Sequence, residues 1–210
     1  MRKSFLLMKR HLFFAVLATL LFAVLPMEAQ IRGFRQEQLK EWEFSKDGSD
    51  WETVEVPHSY NAEDGHSPYY YRGKATYRCD LRINDVKKTH YLFFEGAAQA
   101  AVVKVNGEQV AAHKGGYTPF SVNITEALNK GVNRVEVICD NSEDVEMIPV
   151  TSDFNKNGGL HNPVWLLVME DVYFSPEDYG MYRLRCETPE VSKKKVVTNV
   201  KTKIVNPSNR

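Results

Sequence analysis

The stretch AAVVKVNGEQVAA, residues 100–112, decides the fold class. Two runs rich in alanine and valine flank the pair Asn106-Gly107. Asn-Gly is the strongest two-residue signal for a type I′ turn, because both residues tolerate a positive φ. The stretch therefore predicts a β-hairpin with strands over residues 100–105 and 108–112.

Further strands are predicted on both sides of this hairpin. Residues 74–83 alternate with a period of two, which is typical of a half-buried antiparallel strand. Their apolar face carries Ala75, Tyr77, Cys79, Leu81 and Ile83. Apolar runs over residues 90–95, 134–139 and 164–169 indicate three more strands, and residues 125–129 offer a single helical turn at most. Many short strands separated by turns favour an all-β sandwich or jelly roll.

The pattern changes after Pro176. Residues 179–186 read as a weaker strand, residues 187–195 are polar, and residues 196–205 alternate again. Two strands cannot bury a core of their own. We therefore predict that residues 176–210 are the incomplete start of a second domain, and that residues 179–210 are less ordered than the first domain.

Composition and length exclude several classes of protein. The 210 residues hold 27 Lys+Arg and 27 Asp+Glu, with 43% hydrophobic and 26% charged residues, as in ordinary globular proteins. Nucleic-acid binding needs a clustered excess of Lys and Arg, so we expect no nucleic-acid partner. A (β/α)8 barrel alone takes about 250 residues, so the chain is too short to hold one beside another domain.

The N-terminal residues indicate secretion. Four basic residues within residues 2–10 precede an uncharged apolar run over residues 12–25. This arrangement predicts a signal peptide over residues 1–29, cleaved after Ala29, and a periplasmic or secreted protein with no membrane contact after cleavage. A membrane span needs about 20 residues, more than this run provides. An uncleaved membrane anchor is the alternative.

No sequence motif points to a metal, a cofactor or independent catalysis. Cys79, Cys139 and Cys186 are an odd number without a C-x-x-C pair or a neighbouring histidine cluster, so we expect no metal site. Cys79 and Cys139 fall at inward positions of predicted strands, where a free cysteine packs as a small core residue. The histidines are scattered singly, and no G-x-S-x-G, H-E-x-x-H or phosphate-binding loop occurs. We expect no cofactor.

Seven motifs follow one another over residues 42–170. They include WETVEVPH (51–58), VKVNG (103–107), GGYTPF (115–120), GGL (158–160) and VWL (164–166). In this order they resemble the N-terminal sugar-binding domain of glycoside hydrolase family 2, the β-galactosidase, β-glucuronidase and β-mannosidase group. The resemblance implies a jelly-roll, galactose-binding-like sandwich over residues 30–175, followed by the first strands of a truncated immunoglobulin-like sandwich over residues 176–210.

Most motif residues are expected to serve the fold rather than a sugar. Asn106-Gly107 turns a hairpin, and Gly115-Gly116 permits a close approach of the backbone. We expect Tyr117, Pro119 and Phe120 to pack inside the sandwich, because core positions need no ligand.

The resemblance also implies which chemistry belongs to the family and which part of it this chain lacks. Enzymes of the family are retaining glycosidases with two glutamates on a (β/α)8 barrel, the acid/base lying in an Asn-Glu dipeptide. No Asn-Glu occurs in the 210 residues. We therefore expect no catalytic residue and no hydrolysis by this chain alone. The missing barrel, on an adjoining polypeptide, is a possible partner.

For a chain without the barrel, the resemblance implies a role in sugar binding. The loops that would bind the sugar belong to the first domain and span residues 61–72 and 140–159. The candidate residues are Asp64, Tyr71, Arg72, Asn141, Asp153, Phe154 and Asn155. We favour Asn141 and Asp153 first, because polar groups after the strand ending at Cys139 lie at a loop mouth; the alternative is that these residues are solvated loop polars. The sequence thus predicts the N-terminal carbohydrate-binding and scaffold part of a secreted β-galactosidase-like glycoside hydrolase. A free-standing carbohydrate-binding module and a ligand-free structural fragment remain the alternatives.

Overall fold

The computed structural model describes residues 33–66, 70–147, 154–177 and 185–207. They belong to one unit, Arg32–Arg210. The predicted signal peptide lies outside the described residues. Within the described ranges, no helix has the length and hydropathy of a membrane span.

Two antiparallel sheets form the body of the molecule. The first sheet has the order β1 (Phe34–Gln38), β10 (Val164–Met169), β5 (His90–Phe94) and β8 (Phe120–Asn123). The second has the order β3 (Glu52–Glu55), β2 (Glu41–Ser45), β4 (Lys74–Ile83), β9 (Gly131–Asp140), β6 (Ala100–Val105) and β7 (Glu108–Lys114). Short 3₁₀ turns lie at Ala62–His66 and Thr125–Ala127. The prediction of an all-β sandwich is confirmed.

The two sheets bury one hydrophobic core between them. Tyr77 of β4, Val137 of β9 and Phe94 of β5 are each 0% exposed and belong to the same cluster. The rings of Phe94 and Phe120 stack with centroids 4.6 Å apart, which joins two strands of the first sheet. The predicted alternation of residues 74–83 is present, because the side chains on the predicted inner face are buried or half-buried. Alternation of this kind places one face of each strand in the core.

The hairpin predicted at residues 100–112 is also present, with β7 two residues longer than predicted. Asn106 and Gly107 have φ values of 52° and 89°, as a type I′ turn requires. The Asn106 side chain donates to the carbonyl of Ala127 at 2.8 Å and so ties the turn to the neighbouring loop. Among the motif residues expected in the core, Phe120 is buried. The prediction for Tyr117 is wrong: its side chain is 63% exposed, because it stands at the tip of a loop.

Segments beyond β10 cover the outer face of the first sheet. There β11 (Tyr173–Phe174) pairs with β14 (Ile204–Val205). The Glu177 carboxylate accepts hydrogen bonds from the hydroxyl of Tyr91 at 3.1 Å and from the ammonium group of Lys203 at 2.7 Å. Tyr91 and Tyr173 are consequently buried in a second apolar cluster on this face. The residues around the predicted domain boundary therefore pack on the first sandwich.

A two-stranded hairpin follows, formed by β12 (Arg185–Val191) and β13 (Val196–Lys201). The sequence predicted a strand over residues 179–186 and a polar connection over residues 187–195, whereas the structure continues the strand to Val191. Glu187 forms ion pairs with Arg185 at 2.7 Å and with Lys201 at 3.5 Å. Ion pairs of this kind stabilise the pairing of two strands whose residues are mostly polar. Residues 178–184 lie outside the described residues.

The three cysteines differ in accessibility, and this difference gives a testable prediction. Cys186 is exposed on β12, Cys139 is buried, and Cys79 is half-buried against the core. Burial raises the pKa of Cys79 to about 12 and also raises that of Cys139, so both remain unreactive thiols. We expect iodoacetamide to alkylate Cys186 in the native protein and the other two only after unfolding, as read by peptide mass spectrometry. Rapid native alkylation of Cys139 would contradict this packing.

Candidate functional site

The two loops predicted to bind sugar meet at one end of the sandwich. The connection between β3 and β4 lies against the segment that leads into β10, because the His58 N–H donates to the Leu160 carbonyl at 2.8 Å and the Tyr60 N–H to the Gly158 carbonyl at 3.2 Å. The loop after β9 joins them through a hydrogen bond from the Asn141 N–H to the Gly73 carbonyl at 3.3 Å. Two connections, β3–β4 and β9–β10, thus form this end of the molecule.

Asn61 ties these two connections together and is only 1% exposed. Its Nδ2 donates to the Asn155 Oδ1 and to the Lys156 carbonyl, both at 2.7 Å. Its Oδ1 accepts the Gly158 N–H at 2.8 Å, and Asn155 Nδ2 donates back to the Asn61 carbonyl at 2.6 Å. The sequence analysis did not select Asn61, because its partners lie 94 to 97 residues along the chain and leave no local signal.

Asn141, at the start of the β9–β10 connection, ties the same two connections together and is fully buried. Its Oδ1 accepts the Gly73 N–H at 2.9 Å, and its Nδ2 donates to the carbonyls of Tyr71 and Lys156, both at 3.0 Å. The Lys156 carbonyl therefore accepts from both asparagines. We call Asn61, Asn141 and this carbonyl oxygen the asparagine clamp. A direct contact between Asn141 and a sugar stays a prediction, and the structure gives this side chain the task of positioning the loops.

Other candidate residues surround the asparagine clamp. The Asp64 Oδ2 accepts the Tyr71 N–H at 2.7 Å, and the Tyr71 hydroxyl donates to the Lys74 carbonyl at 2.9 Å. The Arg72 Nη2 donates to the Phe154 carbonyl at 2.8 Å, which links the two sugar-binding loops directly. The Phe154 ring is 56% exposed at the rim.

Six of the seven predicted residues are therefore brought to one end of the sandwich. They are Asp64, Tyr71, Arg72, Asn141, Phe154 and Asn155. Asp153 lies outside the described residues. This end of the molecule offers hydrogen-bonding groups and an exposed aromatic ring. Across the part of the chain that the structure describes, no group of three His, Cys, Asp or Glu side chains could hold a metal ion.

The loops pack on an uncharged aromatic layer, which consists of Phe44, His58, Tyr60 and Tyr77. The His58 Nδ1 and the Tyr77 hydroxyl are hydrogen-bonded at 2.8 Å, and the Phe44 ring lies 4.9 Å from each of these two rings. Burial lowers the pKa of His58 and raises the pKa values of Tyr60 and Tyr77. All three side chains are therefore neutral at pH 7. This suits a rigid structural support for the loops rather than a role in proton transfer.

Two adjacent glycines let the loop backbone rest on this aromatic layer. A Cβ atom on Gly158 would overlap the Tyr60 ring, and one on Gly159 would overlap the Tyr77 hydroxyl. Gly159 also has a φ of +106°, which side-chain-bearing residues rarely adopt. Both glycines of the motif GGL (residues 158–160) are therefore required because a side chain at either position would clash with the aromatic layer.

Comparison with known proteins agrees with this architecture. A family model described as glycosyl hydrolases family 2, sugar binding domain, matches residues 34–170. The chain belongs to glycosyl hydrolase family 2. The match covers both sheets of the sandwich and all the candidate residues, so the resemblance inferred from the sequence is confirmed.

Family 2 relatives extend well beyond this chain. It is 33% identical over 174 residues to a beta-glucuronidase of Bacteroides fragilis, covering 78% of this chain and 25% of the relative. It is 32% identical over 161 residues to a beta-galactosidase of Thermoanaerobacter pseudethanolicus, covering 72% and 21%. The chain thus spans about a fifth to a quarter of the length of these curated relatives.

Solved family 2 structures have the same fold. Beta-glucuronidase 2 of Bacteroides uniformis, covalently bound to cyclophellitol-6-carboxylate aziridine, is 29% identical with a TM-score of 0.75 over 82% of this chain and 22% of that one. The beta-glucuronidase of Parabacteroides merdae with glycerol in its active site is 31% identical, with a TM-score of 0.70 over 84% of this chain and 26% of that one.

Proposed function

We propose that this chain is the N-terminal carbohydrate-binding and scaffold part of a secreted β-galactosidase-like glycoside hydrolase. The observation that carries the proposal is the asparagine clamp, which gathers two loops of the sugar binding domain at one end of the sandwich. Membership of family 2 supports a glycan as the partner. Secretion rests on the signal-peptide pattern of residues 1–29.

Internal hydrogen bonds at this end of the sandwich reduce the number of side-chain groups that are left to contact a sugar. Both amide atoms of Asn155 are used by Asn61. The exposed Phe154 ring is suited to cover the apolar face of a pyranose, as aromatic rings do at binding surfaces. The guanidinium of Arg72, whose Nη2 already donates to the Phe154 carbonyl, is a further donor group, and the carboxylate of Asp64 accepts hydrogen bonds from hydroxyls. Asp153, one residue before Phe154, is the second acidic group that we assign to sugar hydroxyls.

The proposed role is supporting rather than catalytic. Retaining glycosidases place two carboxyl groups about 5–5.5 Å apart on either side of the scissile bond. The Asn-Glu dipeptide that carries the family's acid/base is absent from the 210 residues. A barrel outside these 210 residues would provide the chemistry, and β-galactosides or β-glucuronides, the substrates named for the relatives, are the proposed substrate class.

The first experiment measures sugar binding directly. We expect isothermal titration of the chain with galactose, glucuronic acid and mannose to show binding of at least one sugar, with a Kd of about 1 mM. Arg72→Ala should weaken that binding at least tenfold, because it removes donors at the loop end. Lys130→Ala removes an exposed charge from a turn at β9 and serves as the matched control. Flat titrations for all three sugars would contradict carbohydrate binding and leave the ligand-free fragment.

The second experiment separates scaffold from enzyme and from a free-standing module. Nitrophenyl β-galactoside and β-glucuronide should give no turnover with the chain alone. Turnover that Asp153→Asn abolishes would overturn the non-catalytic assignment. A downstream reading frame encoding a barrel with Asn-Glu would support the scaffold, whereas sugar binding without such a partner would favour a free-standing module.

A further inference from the structure

A second cleft lies at the opposite end of β4 from the asparagine clamp. It has a volume of about 300 Å³ and opens where β4 ends, beside the edge strand β1. Its lining includes Arg35, Glu37, Arg82, His90, Leu166 and Val168. Because β4 has ten residues and a strand rises about 3.3 Å per residue, the two ends lie roughly 30 Å apart. The cleft is therefore separate from the loops that carry the proposed function.

Two charged side chains of β1 point towards the space between the sheets. Arg35 lies opposite Val168, and Glu37 lies opposite Leu166. Side chains of directly opposed residues share one face of a sheet, and Leu166 belongs to the core between the sheets. Arg35 and Glu37 are exposed at the open edge of this face, because β1 is the edge strand of its sheet.

The charges in the cleft are not all compensated internally. Lys88 and Glu170 form an ion pair at 3.1 Å, and Asp85 accepts the Lys87 N–H at 2.9 Å to close its own turn. Within the described residues, the guanidinium groups of Arg35 and Arg82 and the carboxylate of Glu37 make no hydrogen bond or ion pair. Arg35, Arg82 and Glu37 thus line the cleft and have no hydrogen-bond or ion-pair partner among the described residues.

His90 adds a hydrogen-bond acceptor at the back of the cleft. It is 3% exposed, and its Nδ1 donates to the Lys88 carbonyl at 2.8 Å. Burial lowers the pKa of His90, so the ring is neutral at pH 7. With the proton on Nδ1, the Nε2 lone pair is an acceptor.

We propose that this cleft binds a small hydroxyl-bearing carboxylate, the chemical class of the sugar acids. Arg35 and Arg82 take the carboxylate through charge-assisted hydrogen bonds, for which the guanidinium fork is suited. Glu37 and the Nε2 of His90 accept hydrogen bonds from hydroxyls, and Leu166 and Val168 form an apolar floor. A volume of about 300 Å³ is at the lower end of ligand pockets and fits a ligand of monosaccharide size.

Titration of the 210-residue chain with three probes at equal ionic strength tests this proposal. Sodium glucuronate has both the carboxylate and the hydroxyls, glucose lacks the carboxylate, and acetate lacks the hydroxyls. We expect glucuronate to bind at least tenfold more tightly than either of the others. Arg35→Gln and Arg82→Gln should each weaken glucuronate binding at least tenfold, whereas Lys130→Gln should leave it unchanged. Equal affinity for glucuronate and glucose, or no binding of glucuronate, would overturn the proposal.

Arg72→Gln separates this cleft from the loop end. If glucuronate occupies both places, Arg72→Gln removes one component of the titration and leaves the component that depends on Arg35 and Arg82. Loss of all glucuronate binding in Arg72→Gln, with full binding in Arg35→Gln, would overturn the cleft site while supporting the proposed function. Since neither cleft arginine makes an ion pair or hydrogen bond within the described residues, thermal midpoints of the variants should match that of the original protein.

Discussion

Replacing Gly159 by alanine is expected to lower the free energy of unfolding by about 4 kcal/mol, through backbone strain of about 1–3 kcal/mol and overpacking of about 1–3 kcal/mol. The strain arises because Gly159 has a φ of +106°. The overpacking arises because the new Cβ would overlap the Tyr77 hydroxyl and lie 2.9 Å from the His58 carbonyl oxygen. Tyr77 is 0% exposed, so it has no space into which to move.

Gly131 offers a matched control for this prediction. It has the same φ of +106°, and a Cβ there would meet no heavy atom of the described residues within 4 Å. Gly131→Ala should therefore cost only the backbone strain, about 1–3 kcal/mol. Urea denaturation of both variants measures the difference. Equal losses would mean that the Gly159 backbone does not rest on the aromatic layer.

Asn141→Ala is expected to cost about 3 kcal/mol, because a buried polar group left without a partner costs about 1–3 kcal/mol. The substitution leaves the Gly73 N–H and the Tyr71 carbonyl without their side-chain partner, whereas the Lys156 carbonyl keeps the bond from Asn61. Asn199→Ala, on the exposed hairpin, should change stability by less than about 0.5 kcal/mol. A loss at Asn141 no larger than this control would contradict the asparagine clamp.

Asn141→Asp tests the same clamp through pH. A carboxylate at this position would face the carbonyl oxygens of Tyr71 and Lys156 and could donate to neither, whereas the protonated acid restores one donor. The folded-state pKa of the new side chain should therefore lie above its unfolded value of about 3.9. The destabilisation relative to the original protein should be largest at pH 7 and shrink towards pH 5. A difference in unfolding free energy that does not vary with pH would contradict the donor role.

Strands with a local signal were predictable from the sequence. The hairpin around Asn106-Gly107 follows from its turn residues, and β4 follows from its alternation with the predicted bounds. The strand β1 was not predicted, because in FRQEQ only Phe34 is buried and three of the other four residues are exposed. Its five residues become a strand by pairing with β10, which lies more than 120 residues further along the chain.

The sequence predicted which loops form the candidate site, but it did not predict the hydrogen bonds that hold these loops together. The family resemblance placed the candidates in the loops at residues 61–72 and 140–159, and the structure brings these loops together. The bonds that unite them span 70 residues between Asn141 and Tyr71 and 97 between Asn61 and Gly158. Periodicity and composition contain no information about such pairings. Asn141 was selected for its position after a strand, and that position serves to hold the neighbouring loops.

The most direct test of the central claim is a titration of the isotopically labelled chain with methyl β-D-galactoside and methyl β-D-glucuronide, followed by amide chemical shifts. The account predicts that at least one of these sugars shifts amides of residues 61–73, 141–147 and 154–160, and that Arg72→Ala suppresses those shifts. Absence of shifts in all three segments with both sugars, or shifts confined to other parts of the sandwich, would contradict the assignment of this end as the sugar-binding surface.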